Sequence, residues 1–343
     1  MSSRVLVTGA SGQDGYYLID LLLKQGYEVH AQARHLPSSG HHHNGVQWHV
    51  GDPANESFLE KLVAGVRPAE IYNLAAVSRP ALSWEIPEET ALLNAIVPQR
   101  ICELIVAHAP ECRLFQASSS EIFGNTGAEM QNEETTCVPN TPYGVSKLYA
   151  HRMVGAYRAQ YGLHACVGIL FNHESPRRAL SFVSQKIAYA AAAVSLGLTD
   201  TPERDEQGQS ILSGGKVRLG DISVRRDFGF AGDFAKAMQL ILRHVTPDDY
   251  VIGTGQAHSI EEFCNAAFRL IGRNWRDHVS IDPSLVRKTD SYFCRADISK
   301  MQSVFRWQPT VSFENLVSIM VSAQVDLIKA GPAQGERSGV ADG

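Results

Sequence analysis

The sequence predicts an α/β protein whose core is a doubly wound parallel β-sheet. Two observations predict this fold class. Short apolar runs alternate with helix-like stretches through the first half of the chain, and a glycine-rich turn directly follows the first apolar run. Such alternation implies right-handed βαβ units, which place successive strands parallel to one another.

The elements follow from the spacing of apolar residues. Strands are predicted at Val5–Val7, Glu28–Ala33, Ile71–Leu74, Leu114–Ala117 and Ala165–Leu170, with a further strand before Gly51. Helices are predicted at Tyr16–Gln25, Phe58–Val66, Ala95–Ala109 and Ser146–Tyr161. The second half is less regular, with a helix at Phe182–Leu196, a polar surface loop at Thr199–Gly215, a strand at Tyr250–Ile252 and a helix at Ser259–Ile271. Ser259 and Glu262 have the spacing of a capping box.

Composition excludes several classes of protein. A net charge of −5 over 343 residues gives no basic field for nucleic acid or a membrane surface, and no apolar run approaches the length of a membrane span. None of the six cysteines lies in a CxxC pair, which argues against a zinc site or a disulfide framework. The His41–His43 run has no Cys or carboxylate at ligand spacing, so we expect no metal there. The N-terminus is interpreted as a strand rather than a secretory leader, which makes the cytoplasm the expected compartment.

The glycine-rich turn Gly9-Ala10-Ser11-Gly12-Gln13-Asp14-Gly15 joins the first strand to the first helix. Glycines there let the backbone approach a pyrophosphate, which then lies at the helix N-terminus. The turn therefore predicts a dinucleotide cofactor held by Gly9, Ser11, Gly12, Gln13, Asp14 and Gly15.

The end of the second strand selects the cofactor. An acidic residue there would bind the adenosine 2′-hydroxyl of NAD, but the sequence has Arg34, which suits the 2′-phosphate of NADP. NADP is therefore predicted and NAD is the less favoured alternative. Asp52 follows the third strand and is expected near the adenine ring. Leu74, Ala75 and Ala76 follow the fourth strand and are expected beneath the cofactor.

Tyr143 and Lys147 form a YxxxK pair at the head of a predicted helix, where residues four apart share one face. A nearby ammonium is expected to lower the pKa of the phenol, so that Tyr143 exchanges a proton with a substrate hydroxyl. Lys147 is also expected to hold the nicotinamide ribose.

Glu121 ends the run Ser118-Ser119-Ser120-Glu121 after the fifth strand. An alcohol dehydrogenase needs no carboxylate here. A dehydratase does, because oxidation at C4 of a sugar makes the C5 proton acidic and a carboxylate can remove it. The alternative is that Glu121 only caps a helix. Later arginines, among them Arg178, Arg226 and Arg287, suit bidentate binding of a diphosphate.

Several longer stretches carry a family resemblance: TGASGQDG, EIYNLAA, QASSSEIFG, PNTPYGVSKLYAHR, GILFNHESPRR, RRDFGFAGDF and FRWQPTVSFENLV. The sequence resembles the extended short-chain dehydrogenase/reductases and, within them, the GDP-mannose 4,6-dehydratases. The resemblance implies a Rossmann NADP-binding domain of residues 1–171 plus about 228–254. It further implies a smaller C-terminal substrate-binding domain of residues 172–227 and 255–330 that binds a nucleotide sugar, with 331–343 as a disordered tail.

The resemblance also assigns residues. Ser119, Glu121, Tyr143 and Lys147 match the catalytic positions of the family. Ser78 and His173 match positions that bind the cofactor. The GDP-sugar site is matched by Ser78, Asn172, Glu174, Arg178, Lys186, Leu219, Arg226, Arg287 and Asp290. The sequence departs from the family pattern where Ser119 replaces Thr, His35 replaces an arginine, Asp290 replaces Glu, and Thr199–Gly215 is inserted.

The predicted function is conversion of GDP-mannose to its 4-keto-6-deoxy derivative. The alternatives are a dehydratase acting on GDP-heptose or another nucleotide-linked hexose, a 4-ketosugar reductase or epimerase of the same fold, and a non-catalytic nucleotide-sugar-binding protein. The family loop that helps to build a tetramer is shorter here and has His35 in place of an arginine, so a homodimer is expected, with a tetramer as the alternative.

Overall fold

The computed structural model describes residues 3–36, 43–205, 207–286 and 293–331. Strands within these ranges are β1 (Arg4–Thr8), β2 (Glu28–Ala33), β3 (Val46–Val50), β4 (Glu70–Asn73), β5 (Arg113–Ser119), β6 (Ala165–Leu170), β7 (Asn172–Glu174), β8 (Leu212–Ser213), β9 (Lys216–Leu219), β10 (Arg225–Phe230), β11 (Asp249–Ile252), β12 (Ala257–Ser259) and β13 (Val279–Ile281). Helices are α1 (Gln13–Lys24), α2 (Glu56–Val66), α3 (Pro87–Ala91), α4 (Val97–His108), α5 (Pro142–Tyr161), α6 (Val183–Ser195), α7 (Ala231–Arg243), α8 (Ile260–Leu270), α9 (Ser299–Phe305) and α10 (Phe313–Ala330).

The large sheet has seven strands in the order β11-β6-β5-β4-β1-β2-β3, and every pairing in it is parallel. The chain reverses its direction of winding between β1 and β4, which are neighbours in space but distant in sequence. In open α/β sheets, ligands bind beyond the carboxyl ends of the strands at such a point. The predicted fold class, an α/β Rossmann sheet, is confirmed.

Helices cover both faces of this sheet because each buried strand presents apolar residues alternately to either side. Val5 and Val7 of β1 belong to the core formed with α1 and α7. Leu6, between them, belongs to the opposite core, formed with α2, α4 and α5. The sheet is therefore doubly wound.

A separate apolar core lies in the C-terminal part of the chain. It joins α6, α8 and α10 to β9 and β10, with Trp275 among its members. The alanine-rich sequence of α6 is buried along most of its length. Small side chains let α8 and α10 approach α6 closely, so that Ile187–Val194 are buried all round the helix. Two three-stranded sheets, β12-β10-β7 and β13-β9-β8, flank this core.

Most predicted elements are present with shifted ends. The bounds predicted for β2 and β6 agree with the structure, whereas α1 begins at Gln13 and α5 at Pro142, each several residues before the predicted start. Gly12 and Thr141 provide the N-caps of these helices, and the apolar spacing used for the prediction begins only after the first turn. The capping box of Ser259 and Glu262 is confirmed.

The prediction of a polar surface loop at Thr199–Gly215 is wrong for its second half. Leu212–Ser213 forms β8, which pairs antiparallel with β9. Ile211 and Leu212 are 2% and 0% exposed and belong to the C-terminal core. The polar residues before them masked this short apolar pair in the sequence.

The stretch Pro87–His108 is one helical unit of 22 residues, long and apolar enough by length and composition to cross a membrane. Half of its apolar window is buried in the protein, and α4 packs its buried residues against the large sheet. It is a core helix. Between α3 and α4, residues Leu92–Ile96 form a π-helical turn. Asn94 in this turn accepts a hydrogen bond from Val77 N at 2.8 Å and donates one to Val77 O at 3.0 Å.

Candidate active site

The glycine-rich turn leaves no room for side chains on its inner side. Gly9 has φ +62°, and a Cβ there would lie 2.7 Å from Ala75 N. A Cβ on Gly15 would lie 2.5 Å from Ala10 O, so β1 and α1 meet closely. Gly12 is the N-cap of α1, and no side chain among the described residues caps this helix end. Free amide groups at a helix N-terminus fit a pyrophosphate.

The other residues predicted to hold the cofactor lie along the same carboxyl edge. Arg34 directly follows β2, and its Nη1 lies 3.7 Å from Glu89 Oε1. Asp52 follows β3, is exposed, and accepts a hydrogen bond from Ala54 N at 2.8 Å. Leu74, Ala75 and Ala76 follow β4. The structure therefore brings together the segments that we predicted for the adenosine half of the cofactor.

Asp14 and His173 bind each other. Asp14 Oδ2 lies 2.9 Å from His173 Nε2, and His173 Nδ1 donates to Phe171 O at 2.7 Å. Burial alone would raise the pKa of Asp14, but the charge of His173 holds it below its usual value. Burial likewise opposes the charged form of His173, whose pKa the Asp14 carboxylate raises. The sequence assigned both side chains to the cofactor; the structure shows them joining α1 to β7.

Gln13 strengthens this connection. Its Nε2 donates to His173 O at 3.0 Å, and its Oε1 accepts a hydrogen bond from Ser175 at 2.8 Å. The side chains of Gln13 and Asp14 are thus hydrogen-bonded to β7 and to the segment after it.

A row of buried polar groups crosses the large sheet near its carboxyl edge. Thr8 Oγ1 donates to Asn73 Oδ1, and Asn73 Nδ2 donates to Gln116 Oε1 at 2.7 Å. Gln116 Nε2 donates in turn to Ala117 O at 2.9 Å, the same carbonyl that accepts from Lys147 Nζ at 3.1 Å. This polar row, Thr8–Asn73–Gln116–Ala117, ties β1, β4 and β5 to the predicted catalytic lysine.

Helix α5 presents Tyr143 and Lys147 to the carboxyl edge. Thr141 caps the helix by accepting from Gly144 N at 3.0 Å, and Pro142 occupies its first turn. The backbone N–H of Tyr143 donates to Ser83 Oγ at 3.1 Å, which fixes the helix start against the segment after β4. Lys147 Nζ lies 5.8 Å from the centre of the Tyr143 ring. The YxxxK pair therefore shares one face, as the spacing predicted.

The expected lowering of the phenol pKa by Lys147 is not observed. Burial raises the pKa of Tyr143 to about 12, and the hydrogen bond from Ser119 and the charge of Arg178 oppose this rise. Burial also lowers the pKa of Lys147 to about 8. Burial of both side chains disfavours the charged form of each, and this desolvation is the largest influence on both pKa values.

Ser119, Glu121 and Tyr143 are held by one short turn. Residues Ser120–Ile122 form a 3₁₀ helix, and Ser119 caps it by accepting from Glu121 N at 3.2 Å. The Ser119 hydroxyl accepts from that amide, so its proton is directed to the Tyr143 oxygen. Gly144 packs on the same turn, because a Cβ there would lie 2.6 Å from Glu121 O. Glu121 does not cap this 3₁₀ helix; Ser119 does.

Cys294 and Asp227 were missed by the sequence reasoning. The buried Cys294 thiol is hydrogen-bonded to Ser120, and burial raises its pKa to about 12. Asp227, fully buried in β10, accepts hydrogen bonds from Thr254 N and Gly255 N, at 2.7 and 2.8 Å, and from Ala296 N at 3.1 Å. It thereby brings residues 294–296 to the wall of the site. Cys294 stands in none of the stretches that carry the resemblance, and Asp227 lies in RRDFGFAGDF, where only the neighbouring Arg226 was assigned a role.

The residues predicted to bind the sugar nucleotide fall into two groups. Arg178 lies close enough to lower the pKa of Tyr143 by its charge. Glu174, 2% exposed, accepts from Ser184 Oγ at 2.7 Å and lies 3.1 Å from Arg178 Nε, so it holds Arg178 in place. Arg226 is 8% exposed in β10, and its charge opposes the rise in the pKa of Cys294, so it lies close to that thiol.

The remaining members of that set are more peripheral. Asn172 lies on β7 and Lys186 on α6, both half-buried. The side chain of Leu219 is buried in the C-terminal core, so only its backbone can face a nucleotide. Ser78 is half-buried beside Val77, which Asn94 holds. Arg287 and Asp290 lie outside the described residues, as do His41 and His42.

Residues 6–320 match the family model described as GDP-mannose 4,6 dehydratase. The chain is 40% identical to GDP-mannose 4,6 dehydratase 1 of Arabidopsis thaliana over 94% of this chain and 90% of that protein. It is 34% identical to GDP-mannose 4,6 dehydratase of Homo sapiens over 95% of this chain and 92% of that protein. These matches confirm the resemblance seen in the sequence.

Solved structures with lower sequence identity share the fold. UDP-glucose 4-epimerase of Thermus thermophilus, in complex with NAD, superposes with a TM-score of 0.81 at 24% identity, covering 96% of this chain and all of that one. RMD from Pseudomonas aeruginosa, complexed with NADPH, gives a TM-score of 0.77 at 22% identity, covering 95% of this chain and all of that one. The glycine turn and strand ends described above fit a nicotinamide dinucleotide cofactor.

Replacing Gly144 by Ala tests the contact between α5 and the Glu121 turn. The added Cβ meets a backbone oxygen that cannot rotate away, so we expect Gly144→Ala to destabilise the protein by about 1–3 kcal/mol. Gly155, on the same helix with open space around it, is the matched control. Gly155→Ala should stabilise by about 0.5–1 kcal/mol. Denaturant unfolding measures both, and equal effects at the two positions would contradict the proposed contact.

Replacing Lys147 by Met tests its burial. The pKa of Lys147 is about 8 in the folded protein against 10.5 in an exposed lysine. The burial penalty is therefore fully present below pH 8 and fades as the pH rises from about 8 to 10.5. Ala117 O keeps its bond from Gln116 Nε2 in the variant. We expect Lys147→Met to be more stable than wild type at neutral pH, by at most about 3 kcal/mol.

Denaturant unfolding of the cofactor-free protein at pH 7 and pH 10 measures this difference, which should shrink at the higher pH. Lys24→Met, at a lysine 71% exposed, serves as the control and should give a difference that barely changes with pH. A constant difference for Lys147→Met would show that the ammonium is already hydrated in the native protein.

Proposed function

The chain belongs to the GDP-mannose 4,6-dehydratase family, and on that premise we propose that it converts GDP-D-mannose to GDP-4-keto-6-deoxy-D-mannose. The reaction comprises oxidation at C4, elimination of water across C5 and C6, and reduction at C6. The observation that carries the proposal is the Ser120–Ile122 turn, which places the Glu121 carboxylate beside the Ser119–Tyr143 hydrogen bond. A redox enzyme without elimination has no use for that carboxylate.

The cofactor site is formed by the N-terminus of α1 for the pyrophosphate, by Arg34 and Asp52 for the adenosine, and by Lys147 for the nicotinamide ribose. A bound nicotinamide dinucleotide supplies hydride chemistry, accepting hydride from C4 and returning it to C6, so that it is regenerated within each turnover.

Tyr143 accepts the proton of the C4 hydroxyl. The pKa of the phenol is raised by burial, so the ionised form needs help from its surroundings. Ser119 supplies one hydrogen bond to the oxygen. Lys147 lies on the same face of α5 and supplies a positive charge when protonated. We therefore assign Tyr143 as the base of the oxidation step and Lys147 as the group that favours its ionised form.

Glu121 removes the C5 proton, which is acidic once C4 is a ketone. The C6 hydroxyl then leaves as water. The two protons collected, one by Tyr143 and one by Glu121, are the two that return: one to the departing hydroxide and one to C5. Ser119 or Ser120 assists the departure of the hydroxyl. Every proton that the site removes from the substrate is thus returned within the same turnover.

The assignment of a nucleotide-sugar substrate rests on arginine side chains that lie beside the proposed catalytic residues. Arg178 and Arg226 are near Tyr143 and Cys294, and we assign Arg226, with Arg287, to the diphosphate. Guanidinium groups bind such oxygens in bidentate fashion. Asn172, Lys186 and the backbone at Leu219 line the nucleotide side. GDP-mannose is the first candidate; GDP-heptose or another nucleotide-linked hexose is the alternative.

We also assign the domains and the assembly. The large sheet, residues 1–171 with about 228–254, is the dinucleotide-binding domain, and residues 172–227 and 255–330 bind the nucleotide sugar. Two exposed apolar side chains, Val145 at 54% and Tyr149 at 41%, lie one turn apart on α5, which packs on α4. This face favours a homodimer. The cytoplasm is the proposed compartment.

Replacing Glu121 by Gln tests the dehydratase assignment. The amide cannot remove the C5 proton, so we expect loss of water to slow by about 10²–10⁴-fold while C4 oxidation persists. Reduced cofactor should then accumulate, seen as absorbance at 340 nm on mixing enzyme with GDP-mannose, and mass spectrometry should show little product lighter by one water. The exposed Glu134→Gln is the matched control and should turn over normally. Dehydration by Glu121→Gln at nearly the wild-type rate would exclude this role for Glu121.

Stoichiometric consumption of NADPH by the wild type would instead indicate a reductase.

The choice of NADP over NAD is tested at Arg34. We expect Arg34→Ala to weaken NADP⁺ binding by about 10–100-fold, the value of a charge-assisted hydrogen bond, and to change NAD⁺ binding little. Glu89 lies 3.7 Å from Arg34 and competes for its charge, so Glu89→Gln should tighten NADP⁺ binding. Titration calorimetry of both cofactors measures the four affinities. Equal losses for NADP⁺ and NAD⁺ in Arg34→Ala would contradict the assignment.

A further inference from the structure

Gln32 connects two segments of the cofactor site through one buried side chain. Its Oε1 accepts a hydrogen bond from Gly9 N at 3.1 Å, and its Nε2 donates to Gly51 O at 2.7 Å. The residue is 1% exposed and lies near the carboxyl end of β2. Gly9 belongs to the glycine turn after β1, and Gly51 precedes Asp52 after β3. Because β2 lies between β1 and β3, no strand pairing joins these two segments.

We propose that Gln32 is a positioning residue for the dinucleotide: its amide fixes the pyrophosphate turn at Gly9 relative to the adenine-side segment at Gly51–Asp52. The inference rests on the proposed function, since it takes both segments to be parts of the cofactor site. Gln32 does not contact the reacting atoms and is not a catalytic residue.

Only a glutamine-like side chain meets both demands. The side chain must accept a hydrogen bond from Gly9 N–H and donate one to Gly51 C=O. Both polar atoms must therefore stand at the end of one side chain. The backbone of β2 supports it on both sides, since Gln32 O accepts from Ala10 N at 3.0 Å and Ala33 O accepts from Gly51 N at 3.0 Å. Without the side-chain amide, Gly9 N–H and Gly51 C=O would each lose a partner.

The bridge also restricts which groups are left for the cofactor. Gly9 N–H bonds to Gln32 and Gly12 N bonds to Gly9 O at 3.1 Å. The turn is thus held in its shape by internal bonds. On its other side, Gly9 packs so closely on the Leu74–Ala75 backbone that an added Cβ would lie 2.7–2.9 Å from it. Loosening the bridge therefore frees the turn on the side that faces β2, and a shift there changes the spacing between the two ends of the adenosine diphosphate.

The first experiment compares Gln32→Met with wild type by titrating NADPH, and separately GDP, into the cofactor-free protein. Methionine has similar length and no amide. We expect the Kd for NADPH to rise about tenfold or more, from loss of two hydrogen bonds, while the Kd for GDP stays within about twofold. An unchanged Kd for NADPH would overturn the inference.

Gln131 provides a matched control. It is 3% exposed, its Oε1 accepts from Arg295 N at 2.9 Å, and its Nε2 donates to Ala128 O at 2.9 Å, so it makes the same kind of bridge away from the glycine turn. Gln131→Met should lose comparable stability but keep its affinity for NADPH. If it weakens NADPH as much as Gln32→Met, the effect is general loosening and the inference fails.

The second experiment uses Gln32→Glu and needs no comparison of stability. An ionised carboxylate still accepts from Gly9 N but repels Gly51 O, whereas the protonated carboxyl can donate to it. Burial raises the pKa of such a carboxyl. We therefore expect the ratio of variant to wild-type Kd for NADPH to fall as the pH is lowered from about 8 to 5.5. A ratio independent of pH would overturn the inference.

These outcomes separate the two proposals. If wild-type protein binds neither NADPH nor NADH, the cofactor site is misassigned, and both the proposed function and the role of Gln32 fail. If wild type binds NADPH but Gln32→Met binds it equally well, only the role of Gln32 fails.

Discussion

All seven strands of the large sheet run parallel, so every segment of the site leaves from one edge and must be held there by something other than strand pairing. The polar row from Thr8 to Ala117 and the Gln32 bridge do this. Asn73 and Gln32 each make hydrogen bonds across a strand boundary, and Gln116 connects Asn73 to the Ala117 carbonyl within β5. A buried network of this kind stabilises a single arrangement when it is fully satisfied. The catalytic lysine is the last member of the row, because it donates to the same Ala117 carbonyl.

The chemistry follows from this placement. Ser119 ends β5, and its hydroxyl accepts a hydrogen bond from the Glu121 amide. Because Gly144 has no side chain, α5 can approach the backbone of Glu121 closely. One turn thereby sets a hydroxyl, a carboxylate and a phenol at fixed spacing. Burial disfavours the charged states of both Tyr143 and Lys147 in the cofactor-free protein. At neutral pH the phenol is therefore uncharged, whereas the ammonium, with a pKa of about 8, remains largely protonated despite the cost of its burial.

The sequence predicted the large sheet because buried parallel strands are nearly continuous apolar runs, and it predicted the glycine turn and the YxxxK pair because their spacing has a physical cause. It failed where a residue acts through a distant partner. From the sequence, Gln32 showed only that no acidic residue stands at this end of β2. Nothing in the sequence shows that its amide reaches Gly9 and Gly51. The sequence also did not show that the carboxylates of Glu174 and Asp14, predicted to contact ligands, form ion pairs with Arg178 and His173. Leu212 was hidden within a polar stretch that folds onto the C-terminal core.

The π-helical turn at Leu92–Ile96 carries a consequence for how this protein can diverge. The turn contains one residue more than a regular helix would, and that excess rotates Asn94 onto Val77, next to Ser78 in the wall of the site. The same helical unit continues into α4, which packs on α5 beneath the exposed apolar face. A π-helical turn accommodates its extra residue within one widened turn, so the helix that follows keeps its phase. Deleting one residue would close the turn to a regular helix and move Asn94 away from Val77, while the residues of α4 kept their places against the large sheet. The sugar-facing wall beside Ser78 can thus change without a matching change on the outer face.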